Sequence, residues 1–336
     1  MVVLWEKGEN HSSDQFVGAI NHAMKNTVDN EDKDKNYAPV VKSFYASVAT
    51  SLYEYGWGKS FHFAPRNKGE GFKESLLRQE HWLAAQLGIR PGQDVCDLGC
   101  GVCGPLVNIA KFSRANITGV TISDFQIARG NAWIAQNGLS NRCKAVEGDF
   151  HELPFEDNSF DCGYDCEATA HSTKLNTFFA EVERVLRPGG VFAGFAWVTL
   201  PKHNPEDPEE VKILEDLAFG NAIAVLHSFD DYVNAIKANP GLELVEAYDA
   251  NKLGDDMEWH EPLKPGFSLD GILMSWAGRQ LTANLARVTE AIGLAPKGTY
   301  NASQVLEVAA RSLVDAGDRG IYTPIYYYKV RKVAKN

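Results

Sequence analysis

Between residues 94 and 199 short apolar runs alternate with helical patterns, and this alternation limits the folds open to the chain more than any other feature. DVCDL (94–98), NITGVTIS (116–123), CKAVEGD (143–149), FDCGYDCEA (160–168) and VFAGFAWVT (191–199) read as strands. GPLVNIAKF, DFQIARGNAWIAQNG and TKLNTFFAEVERVLRPGG between them carry helical spacing. In the last, Leu175, Phe178, Phe179, Val182, Val185 and Leu186 share one face, and Pro188 and Gly189 are expected to stop the helix. Strands alternating with helices at this period specify an α/β fold with a doubly wound, Rossmann-like, mostly parallel sheet. Ahead of it, ESLLRQEHWLAAQLG reads as a helix with Leu76, Leu77, Trp82, Leu83 and Leu87 near helical spacing and Gly88 as its C-cap.

Beyond residue 199 the regularity loosens. EEVKILEDLAFG and DDYVNAIKA look helical, LELVEAYDA looks like a sixth strand, and residues 270–294 and 301–316 read as two further helices. IYTPIYYYKVRK is β-rich and is expected to return to the sheet. The organisation that follows is a polar lead-in (1–36), an aromatic segment (37–73), a sheet domain (74–252), a helical cap (253–318) and a final strand with its tail (319–336). The aromatic segment is the natural partner of the cap.

An open α/β sheet binds its ligand beyond the carboxyl ends of its strands, and DVCDLGCGVCGP (94–105) stands at that place. Three chemistries fit the stretch. Gly99, Gly101 and Gly104 form G-x-G-x-x-G, the dinucleotide fingerprint; Cys96, Cys100 and Cys103 have iron–sulfur spacing; Cys100 and Cys103 alone form C-x-x-C. The following helix N-terminus offers free N–H groups and positive potential. Asp97, two positions before Gly99, would repel a pyrophosphate there but attract an ammonium group. That favours S-adenosylmethionine over a nicotinamide cofactor, and leaves Gly104 the task of spacing helix from sheet. Asp149, after strand three, is a plausible acceptor for an adenine amino group. Cys96 lies inside strand one, on the face opposite Asp97, so the thiols read as packing groups and no metal is expected.

The formal net charge of −11 with no Lys/Arg block excludes a nucleic-acid partner and electrostatic docking on anionic membranes, though not an apolar lipid substrate. Hydrophobic residues at 44% and charged residues at 23% suit a soluble globular protein. MVVLWEKGEN is too short an apolar start for a signal peptide, and a cytoplasmic protein with reduced thiols is expected.

Several stretches together resemble the sterol 24-C-methyltransferases. YEYGWGKSFHFAPR (53–66) looks like that family's aromatic signature, DLGCGVCGP (97–105) its cofactor loop and CEATAHSTK (166–174) its third block. GRQLTANLARVTEAIGLAPKG (278–298) with YTP (322–324) is similar to its carboxyl-terminal domain. The resemblance covers roughly residues 37–333 and implies a seven-stranded methyltransferase sheet. It also implies methyl transfer from S-adenosylmethionine to the side-chain double bond of a sterol, giving S-adenosylhomocysteine, without a metal. The implied cofactor residues are Asp97, Gly99, Cys100, Gly101, Thr121, Gln126, Asp149 and Phe150. Thr121 stands where many methyltransferases carry an acidic ribose ligand, so Asp124 or Gln126 is expected to take that part.

An isolated alkene is a poor nucleophile, and the site must align it, exclude water and tolerate a carbocation. Aromatic faces do so without adding to the cation. Tyr53, Tyr55, Trp57, Phe61 and Phe63 supply them, with His62 in the same substrate-facing segment and Glu54 as a carboxylate counter-charge. Glu167 and His171, at the end of strand four, are the candidates for the base that ends the reaction; cyclopropane fatty-acid synthases use a similar region. Two departures stand near the alkene site: Ser51-Leu52 replace the family's Asp-Phe, and Ala170-His171-Ser172-Thr173 replace Cys-His-Ala-Pro. They keep a linear triterpene such as squalene open as an alternative substrate. A non-catalytic lipid-binding protein is the alternative of another class. Peripheral contact with a sterol-containing membrane or lipid droplet and a homo-oligomer are the remaining expectations.

Overall fold

The alternation of strand and helix appears in space as one twisted sheet with helices on both faces. The structure, a computed structural model, describes residues 42, 50, 54, 58–254, 257–264, 276–295 and 299–334. Helix α1 (Phe72–Leu87) leads into β1 (Asp94–Leu98), α2 (Gly104–Ser113), β2 (Asn116–Thr121), α3 (Asp124–Gln136), β3 (Cys143–Glu147) and β4 (Phe160–Cys166). Helix α4 (Leu175–Val185), β5 (Leu186–Thr199), α5 (Pro208–Gly220), α6 (Phe229–Lys237) and β6 (Leu242–Asp249) follow. The chain closes with α7 (Trp276–Ala291), α8 (Thr299–Arg319) and β7 (Tyr322–Lys332). The strand order is β3-β2-β1-β4-β5-β7-β6, and β7 runs antiparallel to both of its neighbours. Its return to the sheet is the one expected for IYTPIYYYKVRK. β7 accommodates Pro324, which has no N–H to give, by a bulge where its register with β5 shifts between Ala196 and Val198.

Burial on both faces explains the near-continuous apolar strands. One face packs Leu83 of α1, Leu106 of α2, Ile134 of α3 and Leu217 of α5 against Val95, Ile117 and Phe195. The other packs Phe178, Phe179 and Val182 of α4 and Tyr232 and Ile236 of α6 against Cys96, Phe192 and Tyr328. Helix α8 lies across α5 so closely that a Cβ on Gly220 would stand 2.7 Å from Cα of Ala309. Among the described residues no helix is long and apolar enough to cross a membrane.

Several local expectations are corrected. Helix α4 ends at Val185, before the Pro188-Gly189 pair, because Leu186 is already extended and Arg187, preceding a proline, is driven out of the helical region. β4 ends at Cys166, so Glu167 and Ala168 leave the strand; Ala168–His171 form a 3-10 turn. On α1, Leu77 is 40% exposed, while Ser75, Gln79 and Glu80 are buried with Leu76, Leu83 and Leu87. Gly104 does not set the helix–sheet distance. A Cβ there would lie 2.1 Å from the carbonyl oxygen of Lys59, so this glycine makes room for the segment 59–66, which straps across the start of α2.

Candidate active site

The carboxyl ends of β1, β2 and β4 open into one cleft. Asp97, Gly99, Cys100, Gly101, Thr121, Gln126 and Phe150 line it, as do Phe61, His62, Glu167 and His171. Most of the residues expected for cofactor and catalysis are therefore gathered there, although they come from sequence positions more than a hundred apart. Asp149 stands between Gly148 and Phe150, which line the cleft; its carboxylate accepts from the backbone N–H of His151 at 2.8 Å and lies 3.1 Å from Nδ1 of the same residue. Asp124 is exposed and pairs with Lys42 at 3.2 Å, which leaves Gln126 as the polar side chain facing the cleft, held by the Thr121 hydroxyl at 2.8 Å. Tyr53, Tyr55 and Trp57 lie outside the described residues, as do Ser51 and Leu52. Glu54 sits in an ion cluster with Lys59 and, at 2.7 Å, Arg129, so its charge is already matched.

The glycine loop is braced by its own hydrogen bonds. The N–H groups of Gly99 and Cys100 both donate to the Val120 carbonyl, at 2.8 and 2.9 Å, and Cys103 N–H donates to the Cys100 carbonyl at 2.9 Å. These three N–H groups are thereby committed within the fold. Gly99 and Gly101 have φ of 80° and 52°, in the left-handed region, and a Cβ on Gly99 would collide with Ala168 at 2.1 Å. The thiols are dispersed: Cys96 packs on one face of the sheet, and Cys100 and Cys103 pack on the other with their Sγ atoms 3.8 Å apart.

Asp97 is 1% exposed and accepts a hydrogen bond from Tyr164 Oη at 3.1 Å. Burial pushes its carboxyl up to about 8, with the Tyr164 hydrogen bond acting the other way. Such an acid at a strand end is receptive to a cation, because an ammonium or sulfonium charge nearby would restore its ionised form. The residues present thus fit S-adenosylmethionine, whose amino-acid end carries both charges.

Glu167 stands on the other side of the cleft with φ of 67°, a left-handed conformation that costs a non-glycine residue about 1–3 kcal/mol. The strain is held by its backbone N–H donating to the Phe195 carbonyl at 2.9 Å. Its carboxylate accepts from the Phe63 backbone N–H at 2.5 Å and from Trp197 Nε1 at 2.7 Å. Burial pushes this acid up to about 8 as well; the charge of His62 and these two hydrogen bonds pull it back. Phe63, Trp197, Trp259 and Tyr322 surround that end with rings whose centroids lie 5.3–6.0 Å apart. His171 is neutral by burial, with its pKa lowered to about 4.

Sequence reasoning missed Trp197, brought to Glu167 by the sheet, and Trp259, which packs on Phe63 beside the bridge between Arg66 and Met257. It missed Glu80, which had a legible signal: a charged residue at helical spacing between Leu76 and Leu83.

Residues 96–194 match the family described as Methyltransferase domain, and residues 269–333 match Sterol methyltransferase C-terminal. The chain is 41% identical over 303 residues to cycloartenol-C-24-methyltransferase of Arabidopsis thaliana, covering 90% of this chain and 89% of that protein. It is 37% identical over 328 residues to the sterol 24-C-methyltransferase of Saccharomyces cerevisiae, covering 94% and 85%. Among solved structures it superposes on the [4+2]-cyclase SpnF with a TM-score of 0.65 at 18% identity, over 89% of this chain and 97% of that one. Geranyl diphosphate methyltransferase, solved with GPP and sinefungin, gives 0.64 at 17%, over 88% and 99%. At such identities these two structures speak to the fold alone.

Proposed function

This chain belongs to the sterol 24-C-methyltransferase family, and on that premise we propose that it methylates C-24 of the side-chain double bond of a Δ24-sterol. When bound, S-adenosylmethionine supplies an electrophilic methyl group on a sulfonium. The alkene π pair forms the new C–C bond as the S–CH3 bond breaks, and that bond's pair stays on sulfur in S-adenosylhomocysteine. The cation moves by a hydride shift, and loss of a proton from the substrate ends the reaction.

Asp97 holds the cationic amino-acid end of the donor, and Gly101, Thr121, Gln126 and Phe150 line the remainder of its seat. Phe61 faces the cleft, and Phe63, Trp197, Trp259 and Tyr322 pack behind Glu167 as an aromatic, water-poor backing that favours a carbocation over its capture by water. Glu167 takes the departing proton on its carboxylate; an acid poised near 8 is well matched to that task once it is ionised. His171, lowered to about 4, is the poorer base. The observation that carries this reading is the placement of a buried, strained carboxylate between an aromatic wall and the cofactor cleft. Incubation of the purified protein with labelled S-adenosylmethionine and a panel of Δ24-sterols, with squalene in parallel, tests it by mass spectrometry. A 24-methylene or related alkylated sterol is the expected product. Methylation of squalene alone would replace the substrate, and no methylated lipid at all would remove the reading.

The same reading includes a cytosolic enzyme that collects its substrate at a sterol-containing membrane or lipid droplet. Leu281, Leu285, Val288 and Ile292 form an exposed stripe along α7 and just past its end, each at least 56% exposed. With a net charge of −11, the complementary surface is a neutral lipid one. Leu285→Asp should abolish flotation with phosphatidylcholine–sterol vesicles without lowering the melting temperature. If the stripe instead joins copies of the chain into the expected homo-oligomer, light scattering will show the variant falling to a smaller mass.

A further inference from the structure

Beneath the strap lies a buried ion pair to which methyl transfer assigns no task. His62 and Glu80 are 3% and 1% exposed, with His62 Nε2 3.1 Å from Glu80 Oε1. The Glu80 carboxylate also accepts from the Ser60 hydroxyl on Oε1 at 2.6 Å and from Asn108 Nδ2 on Oε2 at 2.7 Å. Ser60 and Asn108 thus hold the Glu80 carboxyl from the sides that His62 leaves open. On the other side of the ring, His62 Nδ1 lies 3.0 Å from the Phe63 carbonyl oxygen, which only accepts. Both ring nitrogens face oxygens, the arrangement in which an imidazolium donates on both sides. The next peptide N–H, that of Phe63, is the one donated to Glu167.

We propose that Glu80 is a positioning residue for Glu167: it fixes His62 as a cation, and the His62–Phe63 segment in turn holds the Glu167 carboxylate and favours its ionised form. The proposal rests on Glu167 being the terminating base. Electrostatics agrees in sign. Burial lowers the His62 pKa, but the hydrogen bond and charge of Glu80, with the charge of Glu167, raise it overall. The His62 charge in turn acts against the burial that raises Glu167. The other titratable groups facing this pair are Asp97 on β1 and Asp165 and Cys166 on β4. Glu80 and His62 act on Asp97 with opposite signs, so losing the pair together leaves the cofactor acid little changed.

The test is the pH dependence of kcat for the full chain. The acidic limb, which reports ionisation of Glu167, should move up by about one pH unit in Glu80→Gln, because His62 then loses its charge and Glu167 loses the cation that favours its ionised form. Turnover below the limb should then fall about tenfold and recover at higher pH. His62→Gln should move the limb in the same direction, and the double variant should move it no further than either alone. A purely structural part for Glu80 would lower kcat at every pH without moving the limb, and that result overturns the proposal. Nitrogen-15 spectra of the unmodified enzyme give a readout that needs no variant to fold. His62 should keep both ring protons well above the free imidazole pKa of about 6.5, and a single neutral tautomer there would also overturn it. Glu167→Gln separates the two readings. If it turns over normally, the assignment of the base has failed. If it is inactive while the Glu80→Gln limb stays put, only the part given to Glu80 has failed.

Discussion

Two carboxyls, Asp97 in β1 and Glu167 just past β4, face the same cleft, and burial pushes both up to about 8. Their chemistry is separated by what else touches them. Asp97 is steadied by a phenol, while Glu167 is held by an indole N–H and a peptide N–H beside four aromatic rings. Glu167→Gln keeps the shape but removes the proton acceptor, and the expected result is a kcat lower by about 10²–10⁴-fold with cofactor affinity retained. Single-turnover kinetics beside calorimetry would check it; normal turnover would remove the role. Asp97→Ala should instead abolish cofactor binding. At this scale the sequence spoke clearly wherever spacing carries the chemistry: Asp97, Gly99 and Gly101 sit in one loop, and Glu167 follows an apolar run. Trp197 was silent because only the pairing of β4 with β5 brings it to Glu167. Glu80 was overlooked because its helix was counted by its leucines, although a carboxylate on the inward face needs a partner.

Among elements, the strap 59–66 carries the site more than any single helix does. It delivers Phe61 and His62 to the cleft and Phe63 to Glu167, and it meets the cap where Arg66 bridges Met257 and Phe63 packs edge-on against Trp259. The sequence showed that the segment is aromatic but not what it crosses, since nothing local to residues 59–66 specifies Gly104. Alanine at Gly104 would overlap the Lys59 carbonyl and bring its Cβ within 2.7 Å of Ser60 Oγ. Relief by displacing the strap should cost about 1–3 kcal/mol. Gly104→Ala should therefore weaken cofactor binding about tenfold, while amide exchange in β6, at the far edge of the sheet, stays unchanged. Unaltered binding would show that the strap is not part of the seat. The strand–helix order was legible because the inner strands of the 94–199 region are buried on both faces, while the edge strand β3 alternates buried and exposed residues. The turn at Ala168–His171 was not, because Glu167 takes a left-handed conformation no β-rich pattern announces.

At the scale of the molecule, the buried acids tie stability to pH and to ligand. Asp97 and Glu167 at about 8 and Asp165 at about 7 are raised by burial, so the folded chain keeps protons that an unfolded chain releases near pH 4. Stability from these groups is present below about pH 4 and declines as pH rises to about 8. The opposite contribution comes from His171, lowered to about 4 by burial, which favours unfolding as pH falls below about 6.5. Between about pH 6.5 and 8 only the first effect operates among these groups, and the melting temperature of the ligand-free protein should fall as pH rises. A bound sulfonium and ammonium would reverse the balance at Asp97 and Glu167, because a cation favours their ionised forms. Asp165 does not line the cleft; it is committed to the Tyr328 hydroxyl and to Thr169, so its share of the decline should persist. S-adenosylmethionine should therefore release protons on binding at pH 7 and flatten the pH dependence of melting without abolishing it. S-adenosylhomocysteine, which keeps the ammonium but lacks the sulfonium, should release fewer. Calorimetry in two buffers of different ionisation heat measures the protons directly, and binding with no release from either ligand would show that the cleft acids are already ionised in the free enzyme.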